Sequence, residues 1–278
     1  MNMSASVEFW GVRGSIPVSS SLHNYFGGHT SCVSVTHKEN IFIFDAGSGL
    51  RDLGEEMEKT GVNQATLILS HMHFDHIIGL PFFTPIWNPN FQLTLFSAHC
   101  YEKGGLRKFL ENYVFNDPLF PVKLDQVPAH IKYIDCPRNE SLTFFQNYRL
   151  NIAPLNHPGG GYGYQLHCPE GPSIAYISDT EHVPGHDDSN VIKLMQNTDL
   201  VIYDAMYTEE QFSQKSGWGH STWKEGLRLA QKAGAKRLAL YHHDPIHTDD
   251  ILLKIEEKAQ KVWASCFMAR QGMKISLP

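Results

Sequence analysis

The segment Thr66–His76 restricts this chain more than any other. The apolar run Thr66-Leu67-Ile68-Leu69-Ser70 reads as a short buried strand and leads directly into His71-Met72-His73-Phe74-Asp75-His76. Three imidazoles and a carboxylate thus fall within six residues at the end of a core strand. Each of these groups is costly to bury unless something satisfies it. Nitrogen and oxygen donors gathered in one small volume suit a first-row divalent metal. The fold must therefore present strand ends from which ligand-bearing loops can converge.

Length and composition admit such a fold. The chain has 278 residues with 42% hydrophobic and 19% charged side chains, enough for a substantial core. A net charge of −6 speaks against a polyanion binder, so no long nucleic-acid footprint is expected. The five cysteines form no C-x-x-C pair and are odd in number, which points to reduced thiols in a cytoplasmic protein. The opening residues Met1–Ser6 lack a signal-peptide pattern, and no apolar run approaches membrane-spanning length, so no membrane partner is expected.

No linker or repeat divides the chain, which reads as a single domain over residues 1–278. Strands are expected at Val7–Val12, Ser31–His37, Ile41–Asp45, Thr66–Ser70, Phe91–Ser97, Arg149–Pro154, Gly163–His167, Ser173–Ser178, Leu200–Asp204, Arg237–Tyr241 and Met273–Leu277. Helices are expected at Leu50–Lys59, stopped by Gly61, and at Glu102–Tyr113, Asn190–Gln196, Ser221–Ala233 and Asp249–Trp263. The Pro-rich stretch 116–138 reads as a loop or a lid. This order predicts an α/β protein with two mixed sheets packed face to face and helices outside.

Four further polar groups follow apolar strands: His157, Asp179, Asp204 and His242. With the H-x-H-x-D-H cluster in correct order, they carry a resemblance to the metallo-β-lactamase superfamily. The pattern is most similar to its phosphodiesterase branch of tRNA 3′-end endonucleases and cyclic-phosphate hydrolases. The stretches Phe9-Trp10-Gly11-Val12-Arg13-Gly14-Ser15-Ile16-Pro17 and Phe44-Asp45-Ala46-Gly47-Ser48-Gly49 also resemble this branch, and the correspondence runs from about residue 7 to the end. The resemblance implies a four-layer αββα sandwich and two divalent metal ions. One ion would take His71, His73 and His157, the other Asp75, His76 and His242, with Asp179 between them. Zinc is the first expectation because imidazole dominates and thiolate is absent; Mn2+ or Fe2+ would also suit the carboxylates. Two such ions about 3.5–4 Å apart stabilise both the attacking and leaving oxygens of an in-line displacement.

The same resemblance points to the stretch Trp218-Gly219-His220-Ser221-Thr222. It implies that His220 acts as general acid and that Asp204 orients it, joining Asp75 as the catalytic groups. A neighbouring carboxylate fixes an imidazole's tautomer and raises its pKa. By the same resemblance Asp45 supports the ligand loop. His242 and His243 face opposite ways if the strand continues, so one of them is the ligand, and the pattern favours His242. The roles of His29, His243 and His247 are open. Gly159–Gly161 reads as a flexible turn or as a place where backbone amides approach a phosphate, and Pro81–Trp87 as core, a dimer contact or a base-stacking surface.

The expected function is hydrolysis of a small cyclic phosphodiester, a 3′,5′-cyclic nucleotide first, by a metal-held hydroxide. The alternatives are a tRNA or RNA 3′-end endonuclease with the same metal and acid residues, and a metal-binding sensor without catalysis. Lys103, Arg107 and Lys108 form the nearby basic cluster, which a solvated helix face explains. A homodimer is expected by resemblance alone.

Overall fold

The computed structural model describes residues 4–137, 141–144 and 147–278. Among these residues, fourteen strands build two seven-stranded sheets. The first sheet begins with β1 (Ala5–Gly11), β2 (Cys32–His37), β3 (Asn40–Phe44), β4 (Gln64–Leu69), β5 (Gln92–Ser97) and β6 (His130–Asp135). The second contains β7 (Ser141–Phe144), β8 (Tyr148–Leu155), β9 (Gly161–His167), β10 (Ser173–Ile177), β11 (Leu200–Asp204), β12 (Leu238–Tyr241) and β13 (Cys266–Met268). Strand β14 (Lys274–Leu277) returns to the first sheet, antiparallel to β1. The spatial orders are β14-β1-β2-β3-β4-β5-β6 and β13-β12-β11-β10-β9-β8-β7.

Both sheets share one plan. Antiparallel pairing holds β14, β1, β2 and β3 together and, in the other sheet, β7 to β10. Parallel pairing continues from β3 to β6 and from β10 to β13. Parallel neighbours require crossovers, and helices supply most of them. These are α1 (Leu50–Thr60), α2 (Phe74–Ile77), α3 (Leu106–Tyr113), α4 (Ser189–Met195), α5 (Glu209–Gln214), α6 (Trp223–Lys232) and α7 (Asp249–Val262).

Alternation along the strands assigns side chains to layers. Phe42 and Phe44 of β3 point between the sheets and meet Tyr148, Tyr164 and Tyr176 there, while Ile43 points outward beneath Leu50, Leu53 and Met57 of α1. In β10, Ile174 and Tyr176 face the central layer, and Ala175 and Ile177 lie under α4, α6 and α7. Strands buried on both faces read as unbroken apolar runs, which is why β4, β10 and β11 are so legible. The outcome is the expected αββα sandwich. The five cysteines are buried and unbridged. Among the described residues no helix is long and apolar enough to cross a membrane.

Helix α1 ends as expected: Gly61 takes a left-handed φ of 72° and its N–H bonds back to the Met57 and Glu58 carbonyls. Thr222 caps α6 by accepting from the Glu225 N–H. Two expectations are corrected. The helix foreseen from Glu102 begins at Leu106, because Gly104 and Gly105, at φ 92° and 96°, break the chain after a short 3-10 turn over Tyr101–Lys103. The stretch 116–138, foreseen as a loop or lid, contains edge strand β6, and its Phe120, Leu124 and Val127 pack on the outer core. Its last residue, Arg138, lies outside the described residues, as do Met1–Met3. Strands β7 and β13 and helix α5 have no counterpart in the sequence reading.

Candidate metal centre

The parallel strands of both sheets end on the same side, and the polar groups gather there. Strand β4 leads through Ser70, His71 and Met72 to His73, whose backbone is extended. His73 then starts the one-turn helix α2, which swings Asp75 and His76 back toward the strand end. Asp45 follows β3, His157 follows β8, Asp179 follows β10, Asp204 closes β11 and His242 follows β12. Ligand sites in open α/β sheets form at such carboxyl ends. Among the described residues, eight non-glycine residues have positive φ, and four of them line this site: Ser15 (60°), Asp45 (60°), Asp179 (56°) and His242 (58°). Asp and His tolerate this region better than most residues, and a strained backbone of this kind persists only where the surroundings hold it.

All seven expected ligand side chains converge: His71, His73, His157 and Asp179 form one group and Asp75, His76 and His242 another, and Asp179 is in contact with both. In the first, His71 Nε2 and His157 Nε2 each stand 3.6 Å from Asp179 Oδ2, and His157 Nε2 is 3.0 Å from His73 Nδ1. In the second, His76 Nε2 and His242 Nε2 are 3.2 Å apart and lie 3.2 and 3.1 Å from Asp179 Oδ1. Asp75 Oδ2 stands 3.3 Å from His76 Nε2 and 3.2 Å from His242 Nε2. Donors about 2.0–2.1 Å from a tetrahedral ion are about 3.3–3.4 Å from one another. The observed spacings are those of two such polyhedra joined through one carboxylate.

The tautomers agree with this reading. His157 Nδ1 donates to the Gly219 carbonyl (2.8 Å), so its Nε2 carries a bare lone pair. Ser70 Oγ donates to Asp45 Oδ2 (2.8 Å) and therefore accepts from His71 Nδ1 (3.0 Å). His71 Nε2 is then also bare, and it is buried without a hydrogen-bond partner. His76 Nδ1 donates to Asp45 Oδ2 (2.7 Å), which leaves its Nε2 facing His242 Nε2. Lone pairs aimed at a common point repel unless a cation lies between them, so the donor set fits a dinuclear divalent-metal site.

Asp45 organises both groups at once. Besides Ser70 Oγ and His76, it accepts from the Ser70 N–H (2.7 Å) and from the Tyr176 hydroxyl (2.8 Å). It is wholly buried in the central layer. The supporting role expected for Asp45 thus takes the form of four hydrogen bonds, reaching His76 directly and His71 through Ser70. Sequence reasoning missed three other supports: the Ser15 N–H bonds Asp75 Oδ2 (2.7 Å), Ser178 Oγ bonds Asp179 Oδ1 (2.7 Å), and Glu181 holds the His220 loop. Glu181 accepts from the Gly217 and Gly219 N–H groups, each at 2.8 Å. Its position two residues beyond Asp179 was the one available signal.

Charge in the site is strongly redistributed. Burial is the largest influence on His71, His73 and His157 and holds all three below the ordinary imidazole value. Burial acts the same way on His76, but Asp179, Asp75 and Asp45 outweigh it and raise its pKa well above that value. Burial opposes charge on Asp75 and Asp179, yet the imidazoles around them keep both well below the usual carboxylate range. His220 stacks on His242 with ring centroids 5.0 Å apart. Its Nδ1 is 2.9 Å from Asp204 Oδ2, and Asp204 also accepts from the Thr180 and Met206 N–H groups. Burial would lower the His220 pKa, but Asp204 outweighs it and pushes the value up to about 9. The dyad therefore presents Nε2 as its second proton site, beside the metal donors.

The histidines whose roles were open lie outside the donor set. His243 points away from His242, bonds the Ala269 carbonyl (2.8 Å), and is pushed down to about 3, mainly by burial. His247 contacts Gln211, and its carbonyl accepts from Arg13. His29 contacts Ser48 in the β3–α1 turn and Asp52 in the first turn of α1. Within Pro81–Trp87, Phe83 and Ile86 are core residues, whereas Phe82 stays exposed.

Residues 40–243 match the family model described as the Beta-lactamase superfamily domain, and the chain belongs to that family. With this donor set, it is a metal-dependent hydrolase. Ribonuclease Z of Halorubrum lacusprofundi is 23% identical and is matched over 99% of this chain and 98% of its own length. The solved metallo-β-lactamase fold protein YhfI from Bacillus subtilis superposes with a TM-score of 0.73 at 19% identity, covering 99% of both chains. The short form of human tRNase Z gives 0.67 at 18% identity, over 98% of this chain and 99% of its own. These relatives correct one expectation. A chain matched end to end by ribonucleases Z does not support the absence of a long nucleic-acid footprint, and an overall charge of −6 does not decide what a local surface binds.

Proposed function

We propose that the chain is a two-metal phosphodiesterase that cleaves RNA at or near 3′ ends. The observation that carries the reading is the shared-carboxylate pair of donor groups with the Asp204–His220 dyad set against it. The likeness to ribonucleases Z over nearly the whole chain supports RNA over the small cyclic phosphodiester expected from the sequence. His71, His73 and His157 would hold one ion and Asp75, His76 and His242 the other, with Asp179 between them. Zinc suits the imidazole majority best, ahead of manganese or iron. When bound, the two ions supply the positive charge that activates water near neutral pH and stabilises the oxygens of an in-line displacement.

The chain's own residues do the rest. Asp204 holds the Nδ1 proton of His220, which leaves Nε2 to deliver a proton to the departing ribose oxygen. An RNA leaving oxygen is a poor leaving group unless it is protonated, so this dyad suits RNA cleavage. Asp45 and Ser70 hold the Nδ1 protons of His76 and His71, which turns both Nε2 atoms toward the donor groups, and Asp75 and Asp179, held as carboxylates, offset the positive charge. Five buried thiols suit a reducing compartment such as the cytoplasm.

The test is a substrate panel on metal-loaded protein: a precursor tRNA with a 3′ trailer, an unstructured RNA and 3′,5′-cyclic nucleotides, each with and without chelator. Cleavage of the precursor, lost with chelator and restored by metal, is the expected result. Rapid turnover of a cyclic nucleotide with all RNA left intact would overturn the RNA assignment.

A further inference from the structure

The metal centre opens to solvent on one side. His73 is the exposed member of the donor set, while His71, Asp75, His76, His157, Asp179 and His242 are buried. Substrate must therefore approach past His73, and what surrounds that residue bears on what is bound. Phe74, the next residue, is 61% exposed, and among the described residues no aromatic ring packs on it. Across the opening lies Gly159, whose Cβ position would stand 3.9 Å from His73 Nε2. Its carbonyl accepts a hydrogen bond from Lys103 Nζ at 2.9 Å, and Lys103 also contacts His99 Nε2 at 2.7 Å.

Lys103 differs in kind from the other cations near the site. Lys215 is paired with Asp244 at 3.1 Å, and Arg107 with Glu111 at 2.8 Å. Among the described residues no carboxylate pairs with Lys103. Its two acceptors among the described residues are an imidazole and an uncharged carbonyl, which hold the ammonium in place without a formal negative charge. The sequence reading placed Lys103 on a solvated helix face. The break at Gly104 and Gly105 instead leaves it on the preceding turn, directed at the glycine turn beside His73.

We infer that Lys103 and Phe74 form a subsite for the nucleotide next to the cut, with Lys103 on the flanking phosphate and Phe74 under a base. The inference rests on the RNA reading and deepens it. A fixed, unpaired ammonium is a phosphate contact without sequence preference, and an exposed ring takes any base on its face. A substrate with one phosphate has none to place on Lys103 once that phosphate occupies the reaction centre.

The experiment compares wild type, Lys103→Gln, Lys103→Arg and Phe74→Ala on a precursor tRNA and on methyl p-nitrophenyl phosphate, across a salt series, with metal content measured for each. Lys103→Gln should lower kcat/KM on RNA by about tenfold more than on the small ester, and flatten the log–log salt slope by about 1. Lys103→Arg should keep the wild-type slope. Phe74→Ala should cost about 5- to 150-fold on RNA, and little on RNA made abasic at the flanking position. Equal losses on both substrates with an unchanged slope would make Lys103 only a tether for Gly159 and overturn the subsite while the RNA reading stands. A wild-type protein that cleaves no RNA would overturn both.

Discussion

Asp45→Asn tests whether one buried carboxylate sets the tautomers of both metal sites. The exchange keeps size and shape, and Asn tolerates the φ of 60° found here, so the backbone is not the variable. The hydrogen-bond pattern is. Oδ1 receives the Ser70 N–H, while Oδ2 receives Ser70 Oγ, His76 Nδ1 and the Tyr176 hydroxyl. If the amide NH2 takes the Oδ1 position, it opposes a backbone N–H. If it takes the Oδ2 position, the two hydroxyls can turn to accept, but His76 must move its proton to Nε2 and give up its ligand lone pair. Either way at least one charge-assisted bond is lost, worth about 1.5–3 kcal/mol. Expressed as metal affinity, that is about 10- to 100-fold, the usual effect of losing such a support. Competition against a chromogenic chelator, with metal per chain from atomic emission, would measure it. Tyr176→Phe is the control: it removes one of the four bonds without touching either tautomer, so it should lower Tm yet leave metal affinity within a few fold. Wild-type affinity for both ions in Asp45→Asn would refute the tautomer argument.

Other expectations are more direct. His73→Ala should lower metal content and abolish turnover, and full metal with full activity would remove it from the donor set. His220→Ala should retain metal but lose about 10²–10⁴-fold in kcat on RNA, the scale of a lost general acid. A proton donor works only while protonated, so wild-type activity should fall as pH rises through about 9. Because Asp204 is what raises that pKa, Asp204→Asn should move the alkaline limb to lower pH, and an unmoved limb would dissolve the dyad. Glu181→Ala releases the Gly217 and Gly219 N–H groups on the segment that ends in His220. It should slow RNA cleavage more than hydrolysis of a p-nitrophenyl ester, whose leaving group needs no acid; equal slowing would show a merely structural bond.

The most legible parts of this protein are local in the chain. Strand β4 followed by four donors in six residues, and apolar runs ending in His157, Asp179, Asp204 and His242, need no knowledge of long-range contacts to be recognised. The same holds for elements buried on both faces and for helices with a clear stop, as at Gly61. Strand β6 was not legible because it is an edge strand, half-exposed along its length, and so lacks the apolar run of β4 or β10. Strand β13 has only three residues and exists because β12 pairs with it.

What the tertiary structure alone decided is which atoms meet. That Asp45 commands His71 and His76, that Glu181 grips the His220 loop, and that Lys103 faces the glycine turn beside His73 all depend on how strand ends are ordered across two sheets. His76 and His242 are 166 positions apart and meet at 3.2 Å. A residue's type and its immediate neighbours constrain how the backbone leaves a strand. Which loops then share one small volume follows from strand pairing and sheet packing, and those are properties of the whole folded chain.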